Sequence, residues 1–106
     1  MGRIAGRVGS PFEQAVVRFN RSDAARTVAG LMRTLGEPLV SIGAAAGSPD
    51  EARITVAWEL CWYQWAVAEA VTELDKGEEI EQLDGSARQW NATVGADGRL
   101  ALRAPR

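Results

Sequence analysis

The side chains best equipped for chemistry lie close together. Trp58, Glu59, Cys61, Trp62, Tyr63 and Trp65 fall within eight positions, and three of the four tryptophans are among them. Trp and Tyr dominate binding hot spots because they bury a large area at small entropic cost. A carboxylate among tryptophans is desolvated, which disfavours its charged form and would equip Glu59 as an acid or base. The plainer expectation is that Glu59 pairs with Arg18 or Arg53, or reaches solvent. A two-carboxylate hydrolase needs a second acid facing the first, and the sequence locates none. Cys61, next to Trp62, reads as a small hydrophobe. As a nucleophile it would need a base, and the chain contains no histidine.

That absence excludes much else. Ser/His/Asp and Cys/His nucleophile systems cannot be built within the chain, nor can a Cys/His zinc cluster. No cofactor is expected: a Gly-rich phosphate loop after a strand is missing, and so is the spacing of a calcium loop. One cysteine cannot form an internal disulfide, so a cytoplasmic address is the default. No run approaches the 18 or so apolar residues of a membrane span, and residues 1–10 lack the apolar core of a secretory signal. In that setting the N-x-[ST] triplets at Asn20 and Asn91 read as chance matches.

Charge is unevenly placed. The net charge is −2, which gives no global pull toward nucleic acid. Residues 1–36 nevertheless carry six arginines against Glu13 and Asp23, a net of +4. Residues 69–84 carry seven acids against Lys76, a net of −6. The two stretches are expected to complement each other within the fold or between subunits. A weak nucleic-acid contact through the basic N-terminal arm is the alternative.

These residues need elements to position them. Residues 1–11, with three glycines and Pro11, read as a flexible arm ahead of one domain over 12–103. Ala15–Phe19 offers a short β-type run. Ser22 is a good helix N-cap, Asp23 suits the first turn, and Ala24, Val28, Leu31 and Leu35 recur at helical spacing. Gly36 and Pro38 stop that helix, so 22–35 is amphipathic and helical. Leu39–Ile42 reads as a strand. For about 52–67 the β-branched and aromatic composition favours a strand, while a capping-box spacing at Ser48–Glu51 keeps a helical alternative open. Residues 70–83 read as helical pieces broken near Gly77. Gln89–Val94 and Leu100–Leu102 flank turn residues and read as a hairpin.

The sum is a small α+β fold: a mostly antiparallel sheet, helix 22–35 packed on one face, and a second helical piece near 70–83. Both readings of the aromatic segment put aromatics on two opposite faces, more than a small domain covers easily. The leading expectation is therefore a non-catalytic interaction or binding module, homodimeric through Trp58, Glu59, Trp62, Tyr63 and Trp65. The alternative is a small ligand-binding domain or enzyme, whose aromatic-walled pocket contains Glu59 and an arginine.

Overall fold

The computed structural model describes residues 11–45 and 48–103. Two helices pack against a six-stranded antiparallel sheet, an α+β arrangement. Helix α1 (Pro11–Asn20) occupies the segment expected to be an arm end and a short strand. Phe12, Ala15, Val16 and Phe19 explain the difference. They recur at helical spacing and turn inward, while Val17 and Arg18 face out. Pro11 suits a first helical turn, and Glu13 and Arg18 match the helix dipole at either end.

Helix α2 (Asp23–Leu35) forms where its caps predict. The Ser22 hydroxyl accepts the Ala24 amide at 3.1 Å and donates to the Phe19 carbonyl at 2.7 Å, tying the two helices at their corner. Gly36, at φ +86°, returns its amide to the Met32 carbonyl at 3.0 Å.

The strands are β1 (Leu39–Ala45), β2 (Ser48–Ala57), β3 (Trp62–Val67), β4 (Val71–Gly77), β5 (Ala92–Val94) and β6 (Leu100–Leu102), in spatial order β4-β3-β2-β1-β5-β6. The segment expected as one strand over about 52–67 is instead two strands and a reversal. The Trp58 amide donates to the Cys61 carbonyl at 2.7 Å, closing a turn that contains no Gly, Pro, Asn or Asp. The helical alternative is thereby excluded. The acidic stretch differs too: residues 71–77 are an edge strand, and only Ile80–Gln82 keeps a 3-10 turn from the helical piece expected near 70–83.

Each face of the sheet is covered from within the chain. One face carries Val40, Ile42, Ile54, Val56, Trp65 and Val67 against Phe19 and Val28 of the helices. Phe19 meets Trp65 edge to face, with centroids 5.2 Å apart. The opposite face is crossed by residues 78–91, because β4 is one edge of the sheet while β5 pairs with β1, three strands away. This crossover carries 3-10 turns at Ile80–Gln82 and Gly85–Ala87, and seats Leu83 against Ala57 and Trp62. Among the described residues, no helix is long and apolar enough to cross a membrane.

Candidate functional site

The aromatic residues singled out from the sequence are divided between the two faces. Trp58 and Trp62 are each 5% exposed and Trp65 is 4% exposed. Trp58 donates its indole N–H to the Gly36 carbonyl at 2.8 Å and meets Tyr63 edge to face. Tyr63, half-buried, stacks on Trp65 at 6.1 Å. Trp62 points the other way and donates to the Glu79 carbonyl at 2.9 Å, pinning the crossover. Glu59 sits exposed in the β2–β3 turn. Neither arginine considered for it is its partner: Arg18 donates to the Ala68 carbonyl, and Arg53 faces the sheet's crossover side. Trp58, Tyr63 and Trp65 are thus brought together as core, while Trp62 and Glu59 lie apart from them. The cavities described below do not include Glu59 in their walls. The arginine-bearing arm at 1–11 lies outside the described residues, apart from Pro11.

A recessed polar cleft of about 300 Å3 opens instead between the second sheet face and the crossover. Gly43 with Arg53, and Thr55 with Gln64 in the neighbouring register row of the same face, line it below, and Asp84 and Ser86 close it above. Alternation decides these positions. Ile54 and Val56 fill the helix side, so Arg53 and Thr55 must point to the other. A Cβ on Gly43 would come within 3.2 Å of the Ser86 carbonyl, so the residue at 43 sets how closely the crossover approaches. Thr55 is buried, and its oxygen accepts from the Gln64 amide at 3.1 Å. Arg53 Nε is buried with no hydrogen-bond partner among the described residues.

The rim is tied together by hydrogen bonds. Asp84 Oδ1 accepts the Ser86 hydroxyl at 2.7 Å and the Ala87 amide at 3.1 Å, capping the second 3-10 turn. The Ser86 hydroxyl, then the Ala87 amide, with a smaller contribution from the Arg53 charge, hold this carboxyl below its ordinary value. Gln89 donates its backbone amide to the buried Ser41 hydroxyl at 3.0 Å. The next residue but one, Asn91, brackets Ile42, accepting its amide at 2.8 Å and donating to its carbonyl at 2.9 Å. Between these two anchors Trp90 takes φ +47°, a left-handed conformation that a non-glycine residue holds only when its flanks are fixed.

A larger concavity lies where the α1–α2 corner meets the β5–β6 hairpin, with Arg21, Asp23, Arg26, Asp97 and Arg99 on its walls. Its charges are exposed and largely paired, Arg26 with Asp23 at 3.5 Å and Arg99 with Asp97 at 3.7 Å. None of its described side chains has a buried polar atom without a partner, as Arg53 has at Nε. No protein-family model matches the chain, and no curated protein and no solved structure matches it either.

The cleft was partly legible. Asp84-Gly85-Ser86 reads as a turn, and Arg53 stands out as a charge between apolar neighbours. What the sequence lacks is any signal that the turn lies over the arginine, 31 positions earlier.

Proposed function

We propose that this chain is a non-catalytic binding domain that receives a small ligand in the cleft beneath the crossover. The observation that carries this reading is Arg53: a half-buried guanidinium on the floor of a recessed space, its Nε buried with no partner among the described residues. Leaving a buried donor unmet costs about 1–3 kcal/mol, and more when the group is charged. Such groups in folded proteins ask for a specific reason, and a ligand that pairs with the guanidinium charge beside Nε supplies one. The cleft is at the lower end of ligand-site volumes.

Two features support binding over catalysis. Ser86 and Asp84 are in nucleophile-to-base contact, but a carboxyl held below its ordinary value is a poor base near neutral pH. Its Oδ1 is also shared with the Ala87 amide, as in a cap. The test is a thermal-shift screen of small anions, zwitterions and neutral polar compounds on the parent and on Arg53→Met. One class should raise the parent's Tm by about 4 °C or more at tenfold excess over Kd. The variant should not respond. A library that moves neither protein, or both equally, overturns the reading. A cytoplasmic setting belongs to the same proposal and is supported by the single cysteine.

Self-association is a second reading, favoured by a different observation from the one the sequence offered. Leu35, Leu39 and Leu60 are 42%, 43% and 78% exposed at the end of the molecule where α2 leads into β1 and β2 turns into β3. Light scattering should show a dimer that Leu60→Glu converts to a folded monomer; a monomeric parent ends this reading.

A further inference from the structure

We propose that the ligand of the cleft is a small zwitterion, its carboxylate seated on the Arg53 guanidinium and its ammonium on the Asp84 carboxylate. This rests on the cleft being a ligand site. The charges of the lining carry the argument. Among the described residues, Arg53 and Asp84 are its only ionised groups; the others are Thr55, Gln64, Ser86 and small residues, glycine and alanine. Among the described residues the lining is therefore neutral overall and dipolar, with a half-buried cation on the floor and an exposed anion at the rim. A phosphate dianion would meet one cation and one anion, and the anion repels it. A simple carboxylate would satisfy the floor and leave the rim unused. A molecule with both charges matches both ends.

The donors and acceptors agree. A guanidinium presents a planar fork that fits a carboxylate with two parallel hydrogen bonds. The Thr55 oxygen already accepts from Gln64, and its O–H remains available to donate to the same carboxylate. At the rim, Asp84 uses Oδ1 for the Ser86 hydroxyl and the Ala87 amide, and Oδ2 is outside those bonds. An ammonium carries three donors for it. The alanines and glycine at 43–45 and 87 keep the space open between the two ends.

The test is titration of the 15N-labelled full chain with four probes: L-alanine, propionate, n-propylammonium and inorganic phosphate, followed at the backbone amides of Thr55, Gln64 and Ala87. L-alanine should shift these amides at lower concentration than any other probe. Arg53→Met and Asp84→Asn should each weaken it by at least about tenfold, the loss of one charge-assisted contact. Asparagine keeps an acceptor for the Ser86 and Ala87 bonds, and a dispersed spectrum of each variant shows it folded. Arg53→Lys, which keeps the charge and loses the fork, should also weaken L-alanine. Propionate or phosphate binding as tightly as L-alanine, untouched by Asp84→Asn, overturns the zwitterion while leaving a ligand site. Silence from all four probes overturns it as well, and the wider thermal-shift screen then decides separately whether the cleft binds anything.

Discussion

Two asparagines do the work of strand neighbours. Asn91 offers Ile42 the acceptor and donor that a paired strand would offer, and Asn20 does the same for Leu100, accepting its amide at 2.7 Å and donating to its carbonyl at 3.0 Å. Both head N-x-[ST] triplets, yet in the fold both side-chain amides are engaged on main chain. Side-chain amides are suited to this because one group carries both a donor and an acceptor. Removing Asn91 strands two main-chain groups beside a buried residue. Asn91→Ala should therefore lose about 2 kcal/mol or more, read as a lower midpoint in urea unfolding with unchanged slope. Gly98 shows the opposite kind of necessity. At φ +81° it sits against the Ala25 carbonyl, where any Cβ would collide. The hairpin docks on α2 through that missing side chain.

The elements show why a strongly acidic segment can still be a strand. Strand β4 is an edge, paired only with β3, and nearly every residue along it is exposed. Edge strands left flat and apolar invite pairing with other chains. Glu73 and Asp75 put charge there, and the register skips Leu74 between them, a bulge that interrupts a regular ladder. The helical pattern expected for 70–83 came from reading those charges as a solvated helix face. Replacing both acids, Glu73→Val with Asp75→Val, should leave a folded protein that self-associates, seen as a concentration-dependent rise in mass by light scattering. A variant that stays monomeric at all concentrations would show that the acids are not what protects this edge.

For the whole molecule, the connection between β4 and β5 matters most. It covers the second sheet face, hides Trp62 and roofs the cleft, so the chain shields both aromatic faces by itself. The charge asymmetry is not resolved by the ion pairs seen: Arg26–Asp23 lies within α2 and Arg99–Asp97 within the hairpin, and neither joins the basic segment to the acidic one. The second 3-10 turn of the crossover, Gly85–Ala87, depends in part on Asp84 being ionised to cap it. Its carboxyl is depressed in the fold, so its contribution is complete above the unfolded carboxylate range, about pH 3.9, and fades as pH falls through that range. The stability difference between the parent and Asp84→Asn, from urea unfolding at a series of pH values, should therefore shrink below about pH 4. A difference that grows on acidification contradicts this role.

The sequence by itself determined the local pieces whose signals are short-ranged. Ser22, Gly36 and Pro38 bound α2 because capping chemistry acts within a few residues. Gly95–Gly98 marks the terminal hairpin for the same reason. The β-type composition around Ile54 and Trp65 identified strand, but the reversal at Trp58–Cys61 carries no turn residue, and α1 hides its period in a run of only ten residues. The tertiary structure alone decided that β5 would lie beside β1, and hence that residues 78–91 would pass over Arg53. No periodicity encodes that passage. It follows from which edge of the sheet was free to pair, and the cleft exists because two segments distant in sequence meet there.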